Sequence, residues 1–426
     1  MTISWIAAII GLIIAIGLIL LKLNPVYSLF LGAILGCLLG GASLTRTITI
    51  LTTGTQSIMG TAIRVLAAGM LAGVMMESGA ADSIAHAIVN KLGNAQAILS
   101  LALSTMIITA VGVFIPVAVL IVAPIALSVG KEAKISKLSL LVALSGGGKA
   151  GNVISPNPNT IAAASGFHTD LSKVMIAGFI PALCGLAMTV LIASIIKKRG
   201  ALVKDSDIQS KTISDNLIPL HKALITPILA IALLLISPVG EILHVSFLTN
   251  FKVDAMYVLP IASIIGALLM GQGKHILKYS KEGLDKVTNT VMILIGAGAI
   301  AGLITASNLS KAVVSGISTI GISGTFLAPI SGILMGAAIG STSTAVILAT
   351  GSFGPSILNT GISSVGAAVM VQTGATVIDQ VPQGNYFHIT AQSMNMSIKD
   401  RLKAVPFEAC VGLTMTIVAT IMYGIL

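Results

Sequence analysis

The chain has 426 residues, of which 55% are hydrophobic and only 9% carry a formal charge. A soluble globular domain runs about 25% charged, so most of this chain does not face water, which excludes a cytosolic enzyme, a nucleic-acid binder and a disordered adaptor. The 44 glycines, set against 4% aromatics, suit helices that pack backbone to backbone in a bilayer.

Residues 1–21 contain no Asp, Glu, Lys or Arg and match the roughly 20 apolar residues that one crossing needs. No basic residue precedes that run, so it reads as a first span and not as a cleavable signal. Arg46 and Arg64 follow at positions that the topology count places outside. Glu77, Asp82 and His86 cluster at a span end and read as a solvated face. The charge-free run 92–130 must hold more than one crossing, and Lys131, Lys134 and Lys137 then mark a cytoplasmic loop.

Residues 145–160 read as a break. Ser145-Gly146-Gly147-Gly148-Lys149-Ala150-Gly151-Asn152 leads to Ser155-Pro156-Asn157-Pro158-Asn159-Thr160, and glycine and proline both oppose a regular helix. Freed backbone groups in a membrane need protein or a wet cavity around them. Backbone N–H groups at a half-helix start attract a carboxylate. Gly147, Gly148 and Lys149 are therefore candidates for the anionic end of a substrate, and Asn152, Asn157, Asn159 and Thr160 for its hydroxyls. An extramembrane loop is the alternative reading.

The span 174–196 ends at the basic segment 197–222, the linker between an N-terminal half (1–196) and a C-terminal half (223–426). Residues 255–273 form a further span and 274–286 a second basic loop. By the positive-inside rule both basic segments are cytoplasmic, so the net charge of +10 reports orientation and not nucleic-acid binding. Span 287–310 and the long run 312–378 follow. Within that run Gly340-Ser341-Thr342-Ser343-Thr344 is either a Ser/Thr cluster bonded back to its own helix or a second break at 340–344, with Ser341 and Thr342 as substrate ligands. Residues 372–388 form another interruption, where Gln380 and Gln383 are candidate ligands. Asp379 and His388 are candidate proton carriers there, because intramembrane ionisable groups are costly and usually functional. A Lys149–Asp379 pairing would neutralise both charges.

Cys37, Cys184 and Cys410 lie far apart and show neither a metal-ligand spacing nor a disulfide framework; no cofactor is expected. His-Glu-x-x-His and Gly-x-Ser-x-Gly motifs are missing, so the chain is not read as an enzyme. Residues 71–78 align weakly with 300–307, and 118–121 with 345–348, each pair ahead of an interruption. The topology count runs these stretches in opposite directions. The fold expected is an all-α polytopic membrane protein with about 10–12 transmembrane helices, in two inverted repeats with two re-entrant or broken helical hairpins.

This arrangement resembles the gluconate permease family of proton symporters within the ion transporter superfamily. The likeness rests on Lys22-Leu23-Asn24, Glu77-Ser78-Gly79-Ala80, the proline-rich break through Thr160, Gly340-Ser341-Thr342 and the tail Ser397-Ile398-Lys399-Asp400-Arg401-Leu402-Lys403. It implies a multi-pass protein of the bacterial cytoplasmic membrane that imports gluconate-like or glycerate-like anions with protons; this chain departs from the family's pattern where the family's first-break histidines are Lys149 and asparagines, and its second-break His and Asn-Asp pair are Gln380, Pro382 and Gln383. The resemblance also implies two hairpins that meet at the substrate, and a homodimer. Asn157-Pro158-Asn159-Thr160 is similar to the sodium motifs of the superfamily's dicarboxylate branch, so sodium coupling is the alternative to protons. A passive anion channel is the further alternative.

Overall fold

The computed structural model describes residues 2–93, 96–208, 217–249, 254–309, 312, 324–382 and 384–425. Among them the chain is helical, with only two isolated β-bridges. The first half contains α1 (Trp5–Leu20), α2 (Pro25–Leu39), α3 (Leu44–Ser57), α4 (Met59–Glu77), α5 (Ala80–Leu92), α6 (Ala97–Ala110), α7 (Ile115–Glu132), α8 (Lys137–Val153), α9 (Pro158–Gly166), α10 (Leu171–Ala177) and α11 (Phe179–Ile195). The second contains α12 (Ile225–Leu243), α13 (Ala255–Leu269), α14 (Ile276–Thr305), α15 (Leu327–Ile339), α16 (Thr342–Leu358), α17 (Ser364–Ala375), α18 (Asn385–Ser393) and α19 (Val405–Thr420).

Five segments are long and apolar enough to cross a bilayer, or six if the bent pair α10 and α11 counts as one span, and five shorter apolar helices accompany them. Their outward faces carry large apolar side chains, as on α13, where Ile261, Ile264, Ile265, Leu268 and Leu269 are all exposed. A contiguous apolar surface of that kind suits lipid and not water.

In each half a hairpin precedes a broken helix. The arms α6 and α7 turn at 111–114, and α15 and α16 turn at Gly340–Ser341. Next come α8 and α9, interrupted at 154–157, and α17 and α18, interrupted at 376–384. The matched segments 118–121 and 345–348 each begin on the fourth residue of the second hairpin arm.

The breaks are narrower than the sequence suggested. Helix α8 runs unbroken through Gly146, Gly147, Gly148, Lys149 and Gly151 to Val153, so 145–153 is not part of the interruption. The glycines serve packing. A methyl group on Gly147 or Gly151 would collide with the Ala102 or Met106 carbonyl oxygen, so these positions let α8 lie directly on α6. In a buried helix, leaving backbone groups unpaired costs more than glycine's low helix propensity. The actual break comes at Ser155–Asn157, where Asn157 caps α9 ahead of Pro158.

The same correction applies in the second half. Thr342, Ser343 and Thr344 are the first turn of α16, capped by Ser341, so 340–344 is a turn of two residues and not a longer break. Gly340 there has φ of +70°, a left-handed conformation that favours glycine. Residues 372–375 complete α17, and 385–388 begin α18. The presumed loop 274–286 is largely helical, because α14 starts at Ile276.

Two contacts place α14 and the segment that follows α11. Glycines seat α14 on α4, since a Cβ on Gly283 would strike Gly69 and one on Gly73 would strike Tyr279 and Gly283 backbone. Residues 197–208 fold back as a strap on the start of α8, where the Lys137 ammonium donates to Asp207 Oδ1 at 2.5 Å and to the Asn395 carbonyl at 2.9 Å. Arg64, on α4, makes a salt bridge of 2.6 Å to Asp254, which caps α13.

Candidate functional site

A cavity of about 330 Å³ opens where the hairpins and broken helices meet. Four helix starts line it. They are Phe114–Pro116 at α7, Asn159 at α9, Ser341–Thr344 at α16 and Gly384–Tyr386 at α18. Opening backbone N–H groups lack intrahelical acceptors and carry partial positive charge. Four such ends bring partial positive charge to one small volume, a setting for an anion, although the α9 N–H groups of Asn159 and Thr160 are taken by Asn157 and that of Thr344 by Ser341. One face of α14 completes the wall with Lys286, Asn289, Thr290 and Ile293, a spacing that aligns side chains on one side of a helix.

The interruptions hold together through a small set of hydrogen bonds. Thr342 donates its hydroxyl to Asp379 Oδ2, and Ser343 donates to Asn159 Oδ1, so the tip of the second hairpin touches both broken helices. Gly340 and Gly384 meet backbone to backbone beside that tip. On the other side Ser145 of α8 bonds the Tyr386 hydroxyl of α18.

Beneath the cavity Lys149 and Asp379 form a salt bridge of 2.7 Å, with side chains 0% and 3% exposed. The Lys149 ammonium also donates to the Thr376 carbonyl and to Gln380 Oε1, both at 2.5 Å. Its three N–H donors are thus spent on protein. Asp379 lines the cavity, whereas Lys149 does not.

The candidates from the sequence therefore divide. Asn152, Asn159, Ser341, Thr342 and Asp379 line the cavity. Gly147, Gly148, Lys149, Asn157, Thr160 and Gln380 do not. Asn157 is occupied as a cap, accepting from the Asn159 and Thr160 N–H groups and donating to Asn152. Thr160 turns its hydroxyl to the Asn152 carbonyl at 3.3 Å. Gln380 donates to the Val377 and Val405 carbonyls. His388 is exposed on α18, bonded through Nε2 to the Pro382 carbonyl and away from the lining. Gln383 lies outside the described residues.

The residues that the sequence reading missed are Lys286, Asn289, Thr290, Asn385 and Tyr386. Lys286 had been assigned to a basic loop, although the 286/289/290/293 spacing was there to be read. Also missed was a buried support. Arg401 and Glu408, both 0% exposed, pair at 2.6 Å, and Arg401 donates to Thr390 and sits 4.9 Å from the centre of the Phe387 ring. These contacts hold α18, whose start lines the cavity. Two buried oxygens near the first break, Ser155 Oγ and Gln372 Oε1, have no protein partner, while the Gln372 amide donates to the Val153 carbonyl.

Two larger cavities flank this one. The first, about 510 Å³, lies between α7 and α18 with Asp207 and Asn395 in its wall, and it shares Pro116 with the central cavity. The second, about 480 Å³, lies at the far end of α9 and is lined by Arg64, His168 and Asp254 among others. Burial alone would raise the Asp207 pKa, but bonds from Lys137 and the Lys204 N–H, with the charges of both lysines, outweigh it and leave it below the usual value.

Comparison with known proteins follows this geometry. The family described as GntP family permease matches residues 1–426. A protein of Haemophilus influenzae described as an uncharacterized transporter is 46% identical over 424 residues, which is 100% of this chain and 99% of the other. A gluconate permease of Zymomonas mobilis is 24% identical over 406 residues, 90% of this chain and 89% of its own. The D-serine transporter DsdX of Escherichia coli is 25% identical over 388 residues, 85% of each chain. The crystal structure of the Alcanivorax borkumensis YdaH transporter superposes with a TM-score of 0.70 at 14% identity over 89% of both chains, a likeness of fold.

Proposed function

The chain belongs to the GntP family of permeases, multi-pass transporters of the bacterial inner membrane, and from that premise we propose that it imports a small hydroxy-acid or sugar-acid anion by proton symport with alternating access. The observation that carries this reading is the cavity itself, with four helix starts around it and a buried Lys149–Asp379 pair under it. The names of relatives, gluconate permease and D-serine transporter, agree with a ligand that bears one carboxylate and one or more small polar groups.

Coupling follows from charge. With Asp379 ionised, the pair is neutral and the anion meets no net charge from below. A proton on Asp379 cancels the carboxylate and leaves the Lys149 ammonium uncompensated next to the cavity floor. An anion about 4 Å from such a charge gains roughly 4 kcal/mol at an effective dielectric of about 20, before desolvation is subtracted. Proton and anion therefore favour each other's binding, and the coupling is reciprocal. The loaded carrier is neutral in the ligands it adds, which lowers the cost of moving them through a membrane. Asn152, Asn159, Ser341, Thr342 and Asn289 are the hydroxyl ligands in this reading.

For access, we assign the cavity beside Asp207 to the cytoplasmic route and the cavity beside Asp254 to the outer one. The positive-inside rule supports this, since Lys131 pairs with Asp205 and Lys137 with Asp207 on that side. The halves 1–196 and 223–426 are read as inverted copies whose hairpins enter from opposite faces.

The test is uptake of labelled gluconate or glycerate by the purified protein in liposomes, under an imposed pH difference or an imposed sodium difference. Accumulation against the gradient with the pH difference alone is the expected result. Accumulation that needs sodium would replace the proton, and equilibration without accumulation would make the protein a channel. Asp379→Asn, which leaves Lys149 buried without its partner, should lose pH-driven accumulation and also some stability, and the protein that stays folded should still exchange internal for external solute.

A further inference from the structure

Among the described residues that line the central cavity, Lys286 is the only cation and Asp379 the only acid. Lys149, the basic residue nearest in concept, offers nothing to a ligand while its three donors are held by Asp379, Thr376 and Gln380. The geometry points to Lys286 as the residue that receives the carboxylate of the transported anion, with Glu77 as a resting counter-ion that releases it. This inference rests on the anion-transport reading above and adds to it a specific binding residue and an exchange of partners.

Three observations carry it. First, Lys286 is held loosely. Its ammonium lies 3.3 Å from Glu77 Oε1, and the two side chains are 34% and 30% exposed. Ion pairs with that much solvent around them are weak, so trading one carboxylate for another has a small cost. Secondly, its place on α14 is fixed although its tip is free. Gly283, three residues before, packs against Gly69 and Gly73 of α4 with no room for a side chain, while the lysine stem has four rotatable carbons. The ammonium can swing from Glu77, at the end of α4, toward the cavity without backbone movement.

Thirdly, the neighbours of Lys286 on the cavity face are neutral hydrogen-bonding groups. Asn289 and Thr290 lie one turn further along α14. A carboxylate on Lys286 would place a hydroxyl on the adjacent carbon within reach of that turn. The cation at one end and amide and hydroxyl groups beyond it fit a 2-hydroxy or 2-amino acid better than a dicarboxylate, because no second cation lines the cavity among the described residues. Glu77 is the acid that Lys286 pairs with, and it repels an approaching anion while that pairing lasts, so release from Glu77 acts as a gate on binding.

A purely structural role, in which Lys286 and Glu77 only join α14 to α4, predicts that losing either residue weakens the fold and lowers uptake in the same way. The two readings separate by experiment. Lys286→Gln, Lys286→Arg and Glu77→Gln are reconstituted and the KM and maximal rate of gluconate or glycerate uptake are measured, with thermal unfolding of each purified variant as a control on folding. Lys286→Gln should raise KM at least tenfold with the maximal rate within twofold of wild type. Lys286→Arg should recover most of that loss, and Glu77→Gln should lower KM, since it frees the lysine. An unchanged KM in Lys286→Gln, or a rise in KM in Glu77→Gln equal to that in Lys286→Gln, overturns the assignment while wild-type uptake stands. If the wild type neither takes up these acids nor is thermally stabilised by them, the transport reading itself fails, and the two failures are distinct.

Discussion

Lys149 and Asp379, 230 residues apart in the chain, meet at 2.7 Å between the two broken helices with almost no solvent at either side chain. Breaking such a pair from one side strands the other charge, at a cost of about 3–5 kcal/mol. Lys149→Met should therefore destabilise the protein strongly and abolish uptake. Adding Asp379→Asn to it should return most of the stability, because no uncompensated charge remains, yet leave pH-driven accumulation absent. Thermal unfolding in detergent, paired with uptake in liposomes, measures both. A double variant no more stable than Lys149→Met would show that the pair is not what the single substitution breaks.

The contact between α6 and α8 gives a second prediction. Gly147 and Gly151 lie against the Ala102 and Met106 carbonyl oxygens, and backbone cannot yield as a flexible side chain can. Gly151→Ala should cost about 1–3 kcal/mol through overpacking. Gly41, by contrast, has nothing near its missing Cβ but a φ of +81°, so Gly41→Ala tests backbone strain alone. A Gly151→Ala protein as stable as wild type would mean that α8 does not rest on α6 as closely as the structure places it.

What the sequence revealed of this site follows physical lines. The apolar runs are a property of the chain alone, and they were enough for the membrane class. Proline at 156 and 158 located the first break correctly. The glycines misled, because glycine lowers helix propensity and also enables close helix packing, and only the neighbour α6 decides between the two. In the sequence Lys149 reads as a substrate ligand with an Asp379 pairing as one possibility, because periodicity does not show that Asp379, Thr376 and Gln380, from the far half of the chain, take all three of its donors. Lys286 looked like a loop residue because charge was taken as a boundary marker, although a helix can carry lysine inside a wet cavity. Arg401 and Glu408, seven residues apart, bury their charges on each other across a bend that periodicity does not show.

The strap that joins Asp207 to Lys137 gives a pH prediction. The Asp207 pKa in the fold lies below the ordinary value of 3.8, so the folded state favours the ionised form. That contribution is fully present above the unfolded pKa and is lost as pH falls through the folded one. The melting temperature of wild type should exceed that of Asp207→Asn at neutral pH, and the gap should close as the solution is acidified below pH 3.8. A gap that stays constant to the lowest pH would mean that ionisation of Asp207 does not hold the strap to Lys137.

Asn157 and Asn159 are neighbours in sequence with different tasks, and the difference can be measured. Asn157 accepts from two backbone N–H groups at the start of α9 and donates twice to Asn152. Losing a cap costs about 1 kcal/mol, and its other bonds are buried, so Asn157→Ala should lower stability by at least that amount. Asn159 makes one side-chain bond, accepting from Ser343, and faces the cavity. Asn159→Ala should change stability little and raise the KM for uptake severalfold. Asn157→Asp keeps the acceptor that caps α9 but loses the donors to Asn152, and should fall between the other two in stability. If Asn159→Ala unfolds the protein while Asn157→Ala leaves it as stable as wild type, the division between capping and cavity-lining residues at this break is wrong.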